Sequence, residues 1–538
     1  MKSFIKKAKA SLRDVQSQFP SSQGNQAQQQ IIHQQDTPSR IQPPTPTDIL
    51  RYRYHHGTNL GSIFVLEQWL TPSMFVEGAA GGSELDAVNA CLKSQGLDAT
   101  RAKWENHWSN AVSDSDFSWL VNTAHCTTIR LPIGYFTLGP AFTNNTPFAG
   151  APAQVYVNAW NAVKTFVARA RSHGIGVLLD LHALPGGANG DAHSGTSSGK
   201  ADLWGNSGNL SLAQQCLVFM AQEARAMDGV VGLQLCNEAI WDAPGMYAWY
   251  DSVIGAILHV DNTMPLYISD AWNLRQAVSY CDTKNTLAAG FTNPIIVDTH
   301  KYYCFSDANK AETPQQIIAG VPQELGELNG KQGDVFTHGA AQVIVGEYSC
   351  VMDGQTWAKV SDADRPGLVE QFGHVESQTW QQKAGGSYFW TYKMDWMDGG
   401  EWGFVQQTNS SAITPPPNLL LAVKDVQSRI GTAQSQRQSR RDASVTGHEN
   451  YWHNAAPGQT FEFWRYAAGW DVGFSDAMVF FQAREGLGLS GLGADKIGCL
   501  DVWVRKRILE SGQAGPFVWE FEQGVRAGIN DFYQAAGI

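Results

Sequence analysis

From about residue 51 to residue 430, short apolar runs rich in β-formers alternate with longer stretches in which apolar positions recur every three or four residues. The short runs fall at 56–61, 127–135, 176–182, 230–237, 265–270, 295–302, 342–348 and 386–393. Helical periodicity fills several of the gaps, at 155–171, 212–227 and 246–259. Parallel neighbours need a long crossover, and closure removes sheet edges, so eight strands with crossovers predict an α/β fold of (β/α)8 type, a TIM barrel, over residues 47–430. An open doubly wound sheet would carry a Gly-rich phosphate turn after its first strand, and Asn59-Leu60-Gly61 is not one.

The pattern changes on both flanks. Residues 1–46 join a short basic segment to a Gln/Ser/Pro-rich tract, the composition of a disordered N-terminal tail. Phe4, Ile5, Ala8, Leu12 and Val15 recur at helical spacing among lysines, which leaves a weak membrane-surface helix as the alternative. Residues 431–450 are polar and read as a linker or surface loop. Residues 451–538 are aromatic-rich, with helical patterns at 478–485, 499–509 and 519–533. They predict a helical C-terminal extension packed on the barrel, since so short a segment with modest apolar stripes buries little by itself.

Composition narrows the class. With 538 residues, 43% hydrophobic and 16% charged, the chain has a large core. A net charge of -12 argues against a nucleic-acid or anionic-membrane partner, because neutralising phosphates takes a basic face. No run approaches the roughly 18 apolar residues that span a bilayer, so no stable membrane insertion is expected. The 53 Gly and 19 Trp favour a loop-rich scaffold with a stacking cleft. Eight cysteines without a CxxC pair read as reduced, buried thiols, with one or two bridges left open. The amino terminus lacks the apolar core of a secretory signal, so an intracellular, monomeric protein is expected. Sequons at Asn144, Asn209 and Asn409 point the other way, although a chain of this length yields a few by chance.

Reactive groups in such a barrel sit where the strands end. The predicted strands end in Asn59, Arg130, Asp180-Leu181-His182, Asn237-Glu238, Asp270, Asp298-Thr299-His300, Glu347 and Trp390. Two glutamates, Glu238 and Glu347, each follow an apolar run that fixes them at the mouth. Such a pair can hydrolyse a glycosidic bond, one carboxyl protonating the leaving oxygen while the other attacks or activates water. The bland alternative is that each caps a helix or pairs with Arg130. A metal-dependent hydrolase using Asp180, His182, His193 or His300 is disfavoured by the absence of HxH or HExxH spacing, and no metal or other cofactor is expected.

Several separate motifs carry a resemblance over roughly residues 51–410. They are Gly57-Thr58-Asn59-Leu60-Gly61 with Phe64-Val65-Leu66-Glu67, Arg130-Leu131-Pro132-Ile133-Gly134-Tyr135, Asp180-Leu181-His182 with Asn189-Gly190, Asn237-Glu238, His300 with Tyr302, Gly346-Glu347-Tyr348-Ser349, and Trp390. In this order the chain resembles glycoside hydrolase family 5, and within it the fungal exo-β-1,3-glucanases. The resemblance implies a retaining enzyme acting on a β-glucan or β-glucoside, with Glu238 as acid/base and Glu347 as nucleophile. It implies Arg130, His182, Asn237, His300 and Tyr302 around the sugar, Trp390 beneath it, and Glu67 on hydroxyls of the non-reducing end. Burial and the charge of Glu347 are then expected to raise the pKa of Glu238, while Arg130 keeps Glu347 ionised.

Two departures from the family pattern stand out. Ala239 replaces the usual Pro after Asn-Glu, and Gly61-Ser62-Ile63 replaces Gly-Gly-Trp. The Gln-rich head and helical tail resemble the intracellular branch of these fungal proteins, which brings in an alternative substrate, a glycolipid or a small aryl or alkyl glucoside. A non-catalytic carbohydrate-binding barrel is the remaining alternative. Trp241, Trp272, Trp396 or Trp402 is expected to line the mouth.

Overall fold

The computed structural model describes residues 41–486 and 493–538. Of the disordered tail expected over residues 1–46, with its alternative membrane-surface helix, residues 1–40 lie outside the described residues; residues 41–46 are ordered instead, because Thr45 caps the helix that begins at Pro46 and the Gln42 carbonyl oxygen accepts from Arg507 Nη1 at 3.1 Å.

Eight parallel strands close into a barrel in chain order: β1 His55–Asn59, β2 Thr128–Gly134, β3 Gly176–Ala183, β4 Val230–Gln234, β5 Leu266–Ser269, β6 Ile295–Tyr303, β7 Val343–Met352 and β8 Gly386–Phe389. Closure is made by β1 on β8, with His55 opposite Gly386 and Thr58 opposite Phe389. Each strand coincides with one of the eight runs read from the sequence. The ends differ where function is expected: β4 stops before Asn237 and Glu238, β8 stops before Trp390, and β7 runs on past Glu347. The helical stretch expected at 155–171 is two helices, Ala151–Val155 and Ala159–Ser172.

Two apolar layers result. One lies between the strands and the outer helices and includes Ile129, Leu179, Leu233, Val297 and Val345. The other is made by Leu178, Val231, Tyr267, Ile296, Ile344 and Tyr388, together with Ile49, Leu50 and Tyr52 of helix Pro46–Tyr52 and Cys499, Val502 and Trp503 of the C-terminal extension. The strand period of two separates these sets onto opposite faces. The barrel interior is therefore sealed at the end opposite the mouth by the C-terminal extension.

The extension corrects one expectation. Residues 431–450 are not a linker but the middle of a single helix, Val423–Ala455. Of its 33 residues only Val426, Ala433, His448 and Trp452 are buried, so it carries no continuous apolar stripe. Its polar face is tied across instead: Arg441 reaches Asp471 at 2.8 Å and His448 reaches Glu520 at 3.3 Å. The three expected terminal helices lie within longer ones, Trp464–Gly486, Leu500–Ser511 and Val518–Ala536. The first and last cross with backbones in contact at Gly469, Gly473, Gly524 and Gly528, where a Cβ on Gly473 would sit 2.0 Å from the Val525 carbonyl oxygen.

All eight cysteines are buried and none is in a disulfide. Among the described residues no helix is long and apolar enough to cross a membrane.

Candidate active site

The site is organised by a cation at the centre of the barrel. Arg130 of β2 is fully buried and points inward. Its Nε donates to Gln234 Oε1 at 2.9 Å, Nη1 to Asn59 Oδ1 at 2.9 Å and Glu347 Oε1 at 2.7 Å, and Nη2 to Asn237 Oδ1 at 2.7 Å. Asp180 lies 3.0 Å from Nη2 and Asp298 3.8 Å. Burial disfavours the charge, but these three carboxylates outweigh it and hold the guanidinium pKa above its ordinary value.

Two strands repeat one device. On β3 and β6 an Asp and a His two positions apart face the interior together. His182 Nδ1 lies 2.7 Å from Asp180 Oδ2, and His300 Nε2 lies 3.2 Å from Asp298 Oδ2. His300 Nδ1 meets Glu238 Oε1 at 2.7 Å and Glu347 Oε2 at 3.4 Å. Burial works against protonation of His300, yet Glu347, Asp298 and Glu238 push its pKa well above the usual imidazole range. Carboxylates at both ring nitrogens thus favour the imidazolium form of His300.

Glu347 is held through both oxygens, by Arg130 and by the Tyr302 hydroxyl, which donates to Oε2 at 2.8 Å. Glu238 follows β4 in a left-handed conformation, φ 42°. Contrary to expectation, its pKa is lowered, to about 2: burial pushes it up, but the hydrogen bond and charge of His300 and the charges of His193 and His182 prevail. The expectation weighed the repulsion from Glu347 and missed the imidazoles nearer to Glu238. An oxygen of Glu238 and one of Glu347 lie within 4.8 Å of each other. Oxygens this near each other agree with the short spacing of double displacement, about 5–5.5 Å between carboxyl groups.

The remaining expected residues surround this pair. Asn237 joins Arg130 to His182, with Nδ2 3.3 Å from His182 Nε2. Trp390 is nearly buried, packs with Leu70 and Met394, and stacks on His182 with ring centres 6.0 Å apart. Glu67 follows β1 and accepts from Trp69 Nε1 at 2.8 Å; burial raises its carboxyl pKa, against the opposing charges of His193 and His182. Trp241, Trp272 and Trp396 are 62%, 49% and 41% exposed, and Trp402 is half-buried against Tyr302 and Trp69. The sequence reading placed none of Asn59, Asp180, Asn189, His193, Gln234 and Asp298 among the sugar-site residues, and weighed Asp180 and His193 only as disfavoured metal ligands. The Asp-x-His spacing on two strands was the available signal for the two aspartates.

Among the described residues, Glu238, His300 and Glu347 also form a group whose ligand atoms could surround a metal ion. His300 offers no lone pair while both its nitrogens are protonated, so the trio fits an ion pair better than a coordination site.

Residues 92–396 match the family model described as cellulase (glycosyl hydrolase family 5), and residues 433–536 match that of the glucan 1,3-beta-glucosidase 3 C-terminal domain. The chain is 29% identical to an uncharacterized glycosyl hydrolase of Saccharomyces cerevisiae, covering 90% of this chain and 92% of the relative. It is also 29% identical to glucan 1,3-beta-glucosidase 3 of Schizosaccharomyces pombe, covering 89% and 95%. Among solved structures, a rutinosidase from Aspergillus niger superposes with a TM-score of 0.51 over 68% of this chain and 99% of that one, at 17% identity, a likeness of fold alone.

Proposed function

The chain belongs to glycosyl hydrolase family 5, a family of retaining glycoside hydrolases, and from that premise we propose a β-glucosidase that removes single glucose units from a β-1,3-glucan, with Glu347 as nucleophile and Glu238 as acid/base. The observation that carries the reading is the pair of glutamate oxygens within 4.8 Å at the mouth of the barrel. Arg130 and Tyr302 keep Glu347 aimed at the anomeric carbon. In the fraction of enzyme whose Glu238 is protonated, a fraction its lowered pKa keeps small, Glu238 gives its proton to the departing oxygen as the glycosyl–Glu347 ester forms. Water then attacks that ester, giving its proton to Glu238, and glucose leaves with its configuration retained. His300, shared by the two carboxyl groups, supplies positive charge as negative charge moves between them. The S. pombe relative's name supports the glucan as substrate, and Glu67 at one end of the site supports a closed pocket and exo action.

One observation favours a second reading: Trp241, Trp272, Trp69 and Trp396 are all well exposed near the mouth and could accept an apolar aglycone, as in a glycolipid or aryl glucoside. The deciding experiment follows product anomers by proton NMR during hydrolysis of a laminari-oligosaccharide of five or six units. β-Glucose appearing first, without internal fragments, is expected. α-Glucose first would overturn the mechanism, internal fragments the closed pocket. No cleavage beside rapid hydrolysis of a steryl or ceramide glucoside would move the assignment to the second reading.

A further inference from the structure

We propose that His193 is a positioning residue for Glu238: the loop after β3 holds its ring so that a positive charge lies against Oε2 and sets the pH above which this carboxyl group stops serving as the acid. The proposal rests on the reading of Glu238 as acid/base.

The loop at 184–198 is built around Glu238. Asn189 Nδ2 donates to the Glu238 carbonyl oxygen at 2.9 Å, and the Ile240 amide donates to the Ala188 carbonyl at 3.2 Å. The same Ala188 carbonyl accepts from Trp204 Nε1 at 2.8 Å. These contacts grip the backbone at and just after a residue held at φ 42°, a region costly for any residue with a Cβ. The loop also reaches the side chain. His193 Nε2 lies 3.3 Å from Glu238 Oε2, while His300 Nδ1 lies 2.7 Å from Oε1, so each carboxyl oxygen has its own imidazole.

His193 is part of a larger circuit. Its Nδ1 lies 3.2 Å from His182 Nε2, and His182 is bound to Asp180. A chain therefore runs from Asp180 through His182, His193, Glu238 and His300 to Asp298, and Arg130 closes it at 3.0 Å and 3.8 Å from the two aspartates. The charged and titratable groups facing His193 are Asp191 on its own loop at 3.7 Å, His182 on β3, Glu238 after β4, Glu67 after β1 and Glu347 on β7. Burial opposes its charge, but the nearby Asp191 carboxylate and the charges of Glu238, Glu67 and Glu347 lift its pKa to about 9. His193 is thus cationic across the neutral range.

A cation at this distance favours the carboxylate over the carboxylic acid. Glu238 consequently releases its proton to the leaving oxygen more readily, and the carboxylate that remains is stabilised until the attacking water returns a proton to it. His193 itself neither gains nor loses a proton over the cycle. Its influence on the proton-transfer step passes through Glu238.

The test compares kcat/KM against pH for the wild type, His193→Asn and His193→Gln on aryl β-glucosides whose leaving phenols span a range of acidity. Both variants remove the charge, and the longer Gln retains a polar group near Nε2. The alkaline limb is expected to move up by about one pH unit in both. Below that limb, the loss of rate is expected to grow as the phenol becomes a poorer leaving group, to roughly tenfold for the least acidic one. A limb that stays in place, a loss equal for all phenols, or a change confined to KM would overturn the proposal. Glu238→Gln in the same series separates the two levels: equal slowing of every phenol in that variant removes the acid/base reading itself. A steep leaving-group dependence in Glu238→Gln beside an unmoved limb in the His193 variants removes only the role of His193.

Discussion

Glu347 accepts from Arg130 through one oxygen and from Tyr302 through the other, so rotating the carboxylate would break a charged contact on one side and a buried hydroxyl contact on the other. Burial and the charge of Glu347 keep the Tyr302 hydroxyl protonated far above its ordinary range, which makes it a permanent donor. Tyr302→Phe removes that donor with little change of shape. A hydrogen bond to a charged group contributes about 1.5–3 kcal/mol, so kcat should fall by roughly ten- to a hundredfold with KM nearly unchanged. Steady-state kinetics on an aryl β-glucoside checks this, and a rise in KM alone would make Tyr302 a sugar contact instead. At this scale the sequence was informative about which residues meet, since the nine expected site residues gather at the strand ends of one barrel mouth. It was silent on charge state. Whether Glu238 is held up or down depends on imidazoles contributed by β3, β6 and the loop after β3, and no spacing along the chain reveals that three separate elements converge on one carboxyl group.

Strand register does the same work one level up. Gly346 precedes Glu347 on β7 and lies against Asp298 of β6; a Cβ there would fall 2.0 Å from Asp298 Oδ1. The missing side chain is what allows Asp298 to sit under His300 at 3.2 Å while His300 reaches both glutamates. Gly346→Ala should displace Asp298, tilt His300 and lower kcat/KM by about a hundredfold, as small misplacements of catalytic groups do. Circular dichroism should meanwhile show the barrel intact, and an active variant would mean that Asp298 has room to move. The strands were legible because a strand covered on both faces declares itself in a short apolar run. The helix Val423–Ala455 was not, because most of its surface meets water or arginine–aspartate contacts rather than a core. Apolar periodicity reports the face a helix buries, and a helix that buries four scattered residues leaves almost nothing to detect.

The molecule as a whole joins its catalytic mouth to a base made from the other end of the chain. Arg53, just before β1, is 1% exposed and lies 3.3 Å from Asp495, which also takes Arg484 at 3.1 Å. Arg53 further donates to the carbonyl oxygens of Thr127 and Gly174, at the starts of β2 and β3. One carboxylate from the C-terminal extension thereby neutralises a cation that threads the bottom of the barrel, and Asp495 stays ionised because Arg484 and Arg53 overcome the effect of burial. Nearby, Tyr52 packs on Trp503 with ring centres 5.2 Å apart, and Glu522 accepts from the amides of Val335 and Phe336 at 2.8 Å each. Removing such an extension would open the apolar floor of the barrel to water. Asp495→Asn isolates the electrostatic part of this union without deleting any chain. Breaking a buried ion pair by removing one partner costs about 3–5 kcal/mol, because the remaining charge stays buried without compensation. The variant should therefore unfold at clearly lower denaturant concentration, while kcat/KM measured well below its transition matches the wild type, since no residue of the mouth touches Asp495. Barrel and extension should also unfold together, with the signal of the barrel core and that of the C-terminal helices lost in one transition. Two resolved transitions, or an unchanged midpoint, would show instead that the extension rests on a barrel that is already complete without it.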